Sequence, residues 1–157
     1  MHNYNNIDVQ INIFFLIKHP LLEINIFFLK IEKIYFRPKI SSKKTDYSEK
    51  LVKYMLDTRG VGTNALKALK IRECKEWMPQ TKKDENCVAF DYYLNGELIN
   101  TKFRDGSKNF KLVKDAEKIF YNLDNIATEK TCVVVEGEFD VLAFYMAGIT
   151  NVVSVPN

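Results

Sequence analysis

Thr131-Cys132-Val133-Val134-Val135-Glu136-Gly137-Glu138-Phe139-Asp140-Val141-Leu142-Ala143-Phe144-Tyr145-Met146-Ala147-Gly148, followed by Asn151-Val152-Val153-Ser154-Val155, is the part of the sequence on which the fold turns. A continuous apolar run leads into an acidic turn with one Gly, then a helix-period segment closed by Gly148, then a second apolar run. That succession predicts a βαβ unit, because parallel strands need a crossover connection between them. Open parallel sheets bind ligands just beyond the carboxyl ends of their strands. Glu136 falls at that place, and Asp140 lies one turn along the same helix face. Two carboxylates facing one point suit a hard cation such as Mg²⁺, which takes oxygen ligands. Phosphoryl transfer uses such a metal, and often a base for the attacking hydroxyl. Glu138 is expected to be a first-turn acid that complements the helix dipole, with a third metal ligand as the alternative. A plainer reading competes throughout, since acidic residues gather in the first turn of helices for electrostatic reasons alone.

Upstream, from Cys87, the apolar period changes to two: Val88-Ala89-Phe90-Asp91-Tyr92-Tyr93-Leu94, then Asn95-Gly96, then Glu97-Leu98-Ile99-Asn100-Thr101-Lys102-Phe103-Arg104. Asn-Gly between strand-like runs predicts a β-hairpin with a type I′ turn. Its second strand puts Lys102 and Arg104 on one face. Arg104-Asp105-Gly106-Ser107-Lys108-Asn109-Phe110-Lys111 comes next, a loop with several cations, a flexible Gly and an amide donor. Such a loop is either a phosphate cradle or, on composition alone, a solvated basic turn. The aromatics of Lys118-Ile119-Phe120-Tyr121-Asn122-Leu123 read as core rather than as a base-stacking platform, and Trp77 is read the same way.

Nearer the amino terminus, Ser48 is placed to cap a helix with Glu49 in its first turn and Leu51, Val52, Met55 and Leu56 on one face, ended by Arg59-Gly60. Thr63 is expected to cap a second helix through Leu69. Helix, tight turn, helix allows a DNA-reading motif, but such pairs are usually plain packing units. Arg37 to Lys44 forms a polar, basic linker. Residues 1–36 differ in character: Ile-Asn-Ile-Phe-Phe-Leu occurs at 11–16 and again at 24–29, and Gly is absent. Lys18-His19-Pro20 and Glu23 interrupt any span of the roughly 20 apolar residues that a membrane helix needs, and no signal-peptide pattern is present. A low-complexity, non-native leader and an improvised β-hairpin stand as the alternatives. Alternation over Ile31 to Phe36 suits a strand.

The strand followed by Glu136-Gly137-Glu138-Phe139-Asp140-Val141-Leu142-Ala143, with Arg-Asp-x-x-Lys-Asn-Phe upstream, resembles the Toprim fold of primases, topoisomerases and related nucleases. The wording is most similar to the phage replicative primase-helicases and the related mitochondrial helicase Twinkle, and the resemblance runs over roughly residues 37–157. A similar Arg-Gly-Val turn between two helices opens that region in the family. The resemblance implies an α/β chain: a basic α+β subdomain at 37–130, two short helices then a β-hairpin, followed by an incomplete Toprim domain, Rossmann-like with a parallel βαβ, at 131–157. It implies a catalytic role for Glu136, Mg²⁺ on Glu136 and Asp140, and phosphate contacts from Lys102, Arg104 and Lys108, with Asn109 beside them. The implied partners are single-stranded DNA and nucleoside triphosphates, the implied activity RNA primer synthesis. A ring-forming homo-oligomer would come through a C-terminal helicase domain. In the family an Asp-x-Asp pair on a later strand holds Mg²⁺; the chain stops at Asn157 without one, and no Walker loop is present. The expectation is therefore the amino-terminal part of a primase-helicase that neither primes nor unwinds by itself. Its rivals are a non-catalytic DNA-binding accessory and a small Toprim nuclease.

Composition is compatible with all three. A chain of 157 residues is long enough to bury a core. A net charge of +3 is only mildly basic, a weak hint of nucleic acid. Cys74, Cys87 and Cys132 have no C-x-x-C spacing, which argues against a zinc module and a disulfide framework. They suit a reducing compartment, the cytoplasm of a bacterial or phage-infected cell, with membrane association disfavoured.

Overall fold

The computed structural model describes residues 11–14, 28–31, 35–39, 47–126 and 128–157. The chain divides into two units, Met1–Phe36 and Arg37–Asn157. In the first, β1 (Ile11–Phe14) pairs antiparallel with β2 (Phe28–Ile31), Ile11 opposite Ile31 and Phe14 opposite Phe28. The strand β1 lies inside the first copy of the repeated hexamer and β2 starts in the second; residues 15–27 between them lie outside the described residues. Residues 32–34 of the expected 31–36 strand, and 40–44 of the linker, lie outside the described residues.

In the second unit, the helix α1 (Glu49–Arg59) starts and stops where its capping residues dictate. Ser48 Oγ accepts from the Leu51 N–H at 3.1 Å, and Gly60, at φ 65°, donates back to the last carbonyls. A left-handed residue there closes the helix at little cost only if it lacks a Cβ. Leu51 and Met55 are buried, but Leu56 is 57% exposed, so the apolar face is narrower than the sequence suggests. Helix α2 (Thr63–Ala68) follows directly. Its N-cap is Gly62 and not Thr63, which already has helical geometry, and no side chain caps it.

Four antiparallel strands come next: β3 (Arg72–Met78), β4 (Lys83–Leu94), β5 (Glu97–Asp105) and β6 (Phe110–Leu112), in that spatial order. Asn95 and Gly96 both take positive φ, 53° and 79°, as the type I′ turn requires. Register places Val88 opposite Arg104, Phe90 opposite Lys102 and Tyr92 opposite Asn100, all on the face toward the helices. On the opposite face Asp91 is buried and takes a two-pronged ion pair from Arg72 and the Thr101 hydroxyl. No local pattern predicts β3 or the first half of β4, because charges interrupt their alternation. Trp77 on β3 is 50% exposed rather than core.

The βαβ unit is present as β7 (Val133–Val135), α3 (Glu138–Met146) and β8 (Val152–Ser154), with β7 and β8 parallel and Val133 opposite Val152. The fold is thus α/β, an α+β part followed by a parallel βαβ. Tyr121 joins the two parts. Its backbone bridges Ser154 of β8, its ring meets Tyr92 edge-on at 5.3 Å, and its hydroxyl donates to Leu69 O at 2.9 Å. Its neighbour Phe120, expected in the core with it, is 41% exposed. Leu51, Met55, Leu66, Phe90, Tyr92, Val141, Leu142 and Val152 complete one apolar cluster spanning helices, sheet and βαβ unit.

Candidate functional site

Glu136 sits immediately beyond the last residue of β7 and is exposed; Gly137 is the N-cap of α3. The Gly137 N–H donates to Asp140 Oδ2 at 3.1 Å, so Asp140 caps the helix from its third position while remaining exposed. Both carboxylates are thus at the carboxyl end of a parallel strand, where the helix N-terminus favours anionic groups. Among the described residues there is no cluster of three or more His, Cys, Asp or Glu side chains that could hold a metal ion.

Glu138 is an acid of the first turn of α3, as expected, and it also has partners beyond the helix. It is buried, and its Oε1 accepts from the Tyr92 hydroxyl at 2.5 Å and from Lys102 Nζ at 3.1 Å. Lys102 also donates to Asn157 Oδ1 at 2.9 Å, and its ammonium lies 4.8 Å from the Phe110 ring centroid. Burial and the adjacent Glu138 carboxylate push the Tyr92 hydroxyl well above its usual range. Lys102 is therefore a buried, neutralised cation that ties the hairpin to the first turn of α3. The alternation that aimed it at the helix-facing side was legible; its buried partner was not.

The basic loop owes its shape to Asp105. Asp105 Oδ1 accepts from the N–H groups of Ser107 and Asn109, both at 2.9 Å, and Oδ2 from Asn109 Nδ2 at 2.8 Å. The Asn109 amide is thus engaged in closing the turn. Lys108, rather than Gly106, takes the left-handed conformation, φ 69°, at the exposed tip.

Arg104 extends to the ring of Phe139, in the first turn of α3, with Cζ 4.8 Å from the centroid. Arg59 reaches the same ring from the end of α1, at 4.5 Å. No carboxylate lies within 4.0 Å of either guanidinium among the described residues. The two guanidinium carbons are no farther apart than those two distances added, so two unneutralised cations converge beside the residue that precedes Asp140. Sequence reasoning missed Arg59 as part of this site. Its local signal, Arg59-Gly60-Val61, marks a helix end, and only the tertiary fold brings its side chain to Phe139.

Over 74 residues, 47% of this chain, the sequence is 43% identical to the Primase homolog protein of Arabidopsis thaliana, matching 22% of that protein. Over a stretch of the same length it is 42% identical to the Twinkle homolog protein, chloroplastic/mitochondrial, of the same plant, matching 10% of it. Over that stretch the chain is similar to a primase homolog and to a Twinkle homolog. The matched stretch spans about a fifth and a tenth of the two relatives' lengths. No family model matches the chain. Among solved structures, the DnaG catalytic core aligns over 67% of this chain and 46% of that one, at 17% identity and a TM-score of 0.49.

Proposed function

We propose that this chain is part of a DNA primase or replicative primase-helicase, and that its Twinkle-like segment binds the phosphates of single-stranded DNA and nucleoside triphosphates. The observation that carries this reading is the convergence of Arg59 and Arg104 on Phe139, two cations without carboxylate partners at the first turn of the helix that follows Glu136. Like charges held together repel unless an anion joins them. A phosphate oxygen accepts readily from a guanidinium fork, and a phosphate is of a size to bridge two. Lys108, at the exposed loop tip, adds a further point charge.

Glu136 and Asp140 fit a hard divalent cation such as Mg²⁺: they are all-oxygen donors, both exposed, and Asp140 has one oxygen engaged with Gly137 N–H and the other free to coordinate. When bound, the ion would neutralise charge developing at a transferred phosphate. Glu136, at the strand end, would take the proton of the attacking hydroxyl, while Arg59 and Arg104 hold the phosphate and Lys102 with Glu138 fixes the turn against the hairpin. Primer synthesis from ribonucleotides is the reaction this set suits. Among the described residues no helix is long and apolar enough to cross a membrane. The reading places the protein in an aqueous, reducing compartment, the cytoplasm of a bacterial or phage-infected cell, with assembly into a homo-oligomeric ring as part of a helicase.

The test is fluorescence anisotropy of a labelled single-stranded oligonucleotide, and competition by ATP, over a range of salt. Arg59→Gln and Lys108→Ala should each weaken binding and flatten the salt dependence, by about 0.7 in slope for each phosphate that no longer meets a cation. Unchanged affinity and slope in both variants would refute the reading.

A further inference from the structure

Phe110 is a large apolar side chain that the fold leaves 51% exposed at the start of a three-residue strand. Cations border it, two of them already paired, Lys102 with Glu138 and Lys111 with Glu76, and two, Arg104 and Lys108, without a carboxylate partner among the described residues. Arg104 is its register partner on β5, Lys108 and Lys111 flank it in sequence, and Lys102 Nζ lies over its ring at 4.8 Å. Lys102 is itself fixed by Glu138 and Asn157, so the ring is placed next to the first turn of α3. The strand's position is held from outside as well, because Gln80 Nε2 donates to Phe110 O at 2.9 Å. An exposed ring held in place among cations is what single-stranded nucleic acid meets on its binding proteins, phosphates on the cations and bases on the π face. A protein partner of matching chemistry would bring acidic groups rather than a flat π system.

We infer that Phe110 is a stacking platform for a nucleobase whose phosphates meet Arg104 and Lys108. This rests on the phosphate-binding reading above and adds to it the part of the ligand that is not charged. The base belongs either to the single strand or to a nucleoside triphosphate, and the chemistry recognised is the same.

The whole 157-residue chain is titrated into a labelled 12-residue oligonucleotide, into its abasic counterpart with the same phosphates, and, in competition, against ATP. Phe110→Leu keeps apolar cover over the sheet edge and removes the π face; Phe110→Trp keeps that face. Phe110→Leu should weaken the base-bearing ligand about tenfold, leave the abasic strand's affinity unchanged, and leave the salt slope unaltered because every phosphate keeps its cation. Phe110→Trp should bind as the unaltered protein does. A loss confined to ATP assigns the base to the nucleotide; a loss confined to the oligonucleotide assigns it to the strand. Equal loss on the abasic strand, or no loss on either base-bearing ligand, would overturn the inference while leaving the Arg59 and Lys108 results to stand. If the unaltered protein binds neither ligand, both this inference and the phosphate reading fail.

Discussion

Lys102 and Glu138 form a buried pair whose removal should be felt by the whole second unit. Their side chains are each 7% exposed and their charged atoms 3.1 Å apart. At an effective dielectric of about 20 the Coulomb attraction is about 5 kcal/mol, and the desolvation of two buried ions cancels much of it. Breaking such a pair from one side is more costly than the pair's net worth, because the remaining charge stays buried. Lys102→Met leaves the Glu138 carboxylate with only the Tyr92 hydroxyl as donor, a loss of about 3–5 kcal/mol. That is a large share of the 5–15 kcal/mol or so that stabilises an ordinary domain. Urea denaturation followed by circular dichroism at pH 7 should show a midpoint lower by roughly 2 M, for a slope of about 2 kcal/mol per M. Lys102→Met/Glu138→Leu, which removes both charges, should recover about 2 kcal/mol, the remainder reflecting the orphaned Tyr92 hydroxyl. A single-variant loss below about 1 kcal/mol, or strict additivity in the double variant, would show that the pair is hydrated and does not lock the hairpin to α3.

Two further outcomes follow from the same structure. Asp105→Ala removes the acceptor of three hydrogen bonds in the basic loop, so the Ser107 and Asn109 amides should exchange faster with solvent and stability should fall by about 1–2 kcal/mol; unchanged exchange would mean that the turn does not depend on Asp105. Burial pushes the Cys74 thiol up to about 11 and Cys87 up to about 12, from 9.0, so the folded chain keeps protons that the unfolded chain has lost: stability is whole below pH 9 and falls by about 1.4 kcal/mol per pH unit per thiol as pH climbs toward those values. Urea midpoints between pH 8 and 10 measure this, and Cys87→Ala should roughly halve the slope; an unchanged slope would remove the thiols from the account.

The sequence by itself determined the local architecture wherever a short-range rule applies. Asn95-Gly96 can only be accommodated cheaply by a turn with two positive φ values, Ser48 and Gly60 bound a helix through their own backbone chemistry, and the paired apolar runs around Glu136-Gly137 admit a parallel βαβ and little else. The same run also resembled the family to which the relatives' names point. Local rules were weaker for β3, where charges mask the strand period, and they misjudged Leu56, Trp77 and Phe120, whose hydrophobicity says nothing of which neighbours arrive to cover them. Only the tertiary structure decided how the cations divide their tasks. Lys102 and Arg104 stand two residues apart on one strand face, indistinguishable by composition. Packing against α3 buries the first on Glu138 and leaves the second, joined by Arg59 from a distant helix end, unneutralised on Phe139. Charge is a property of the residue, but whether it is neutralised depends on which side chains from remote segments lie within a few ångströms, and no local pattern encodes that.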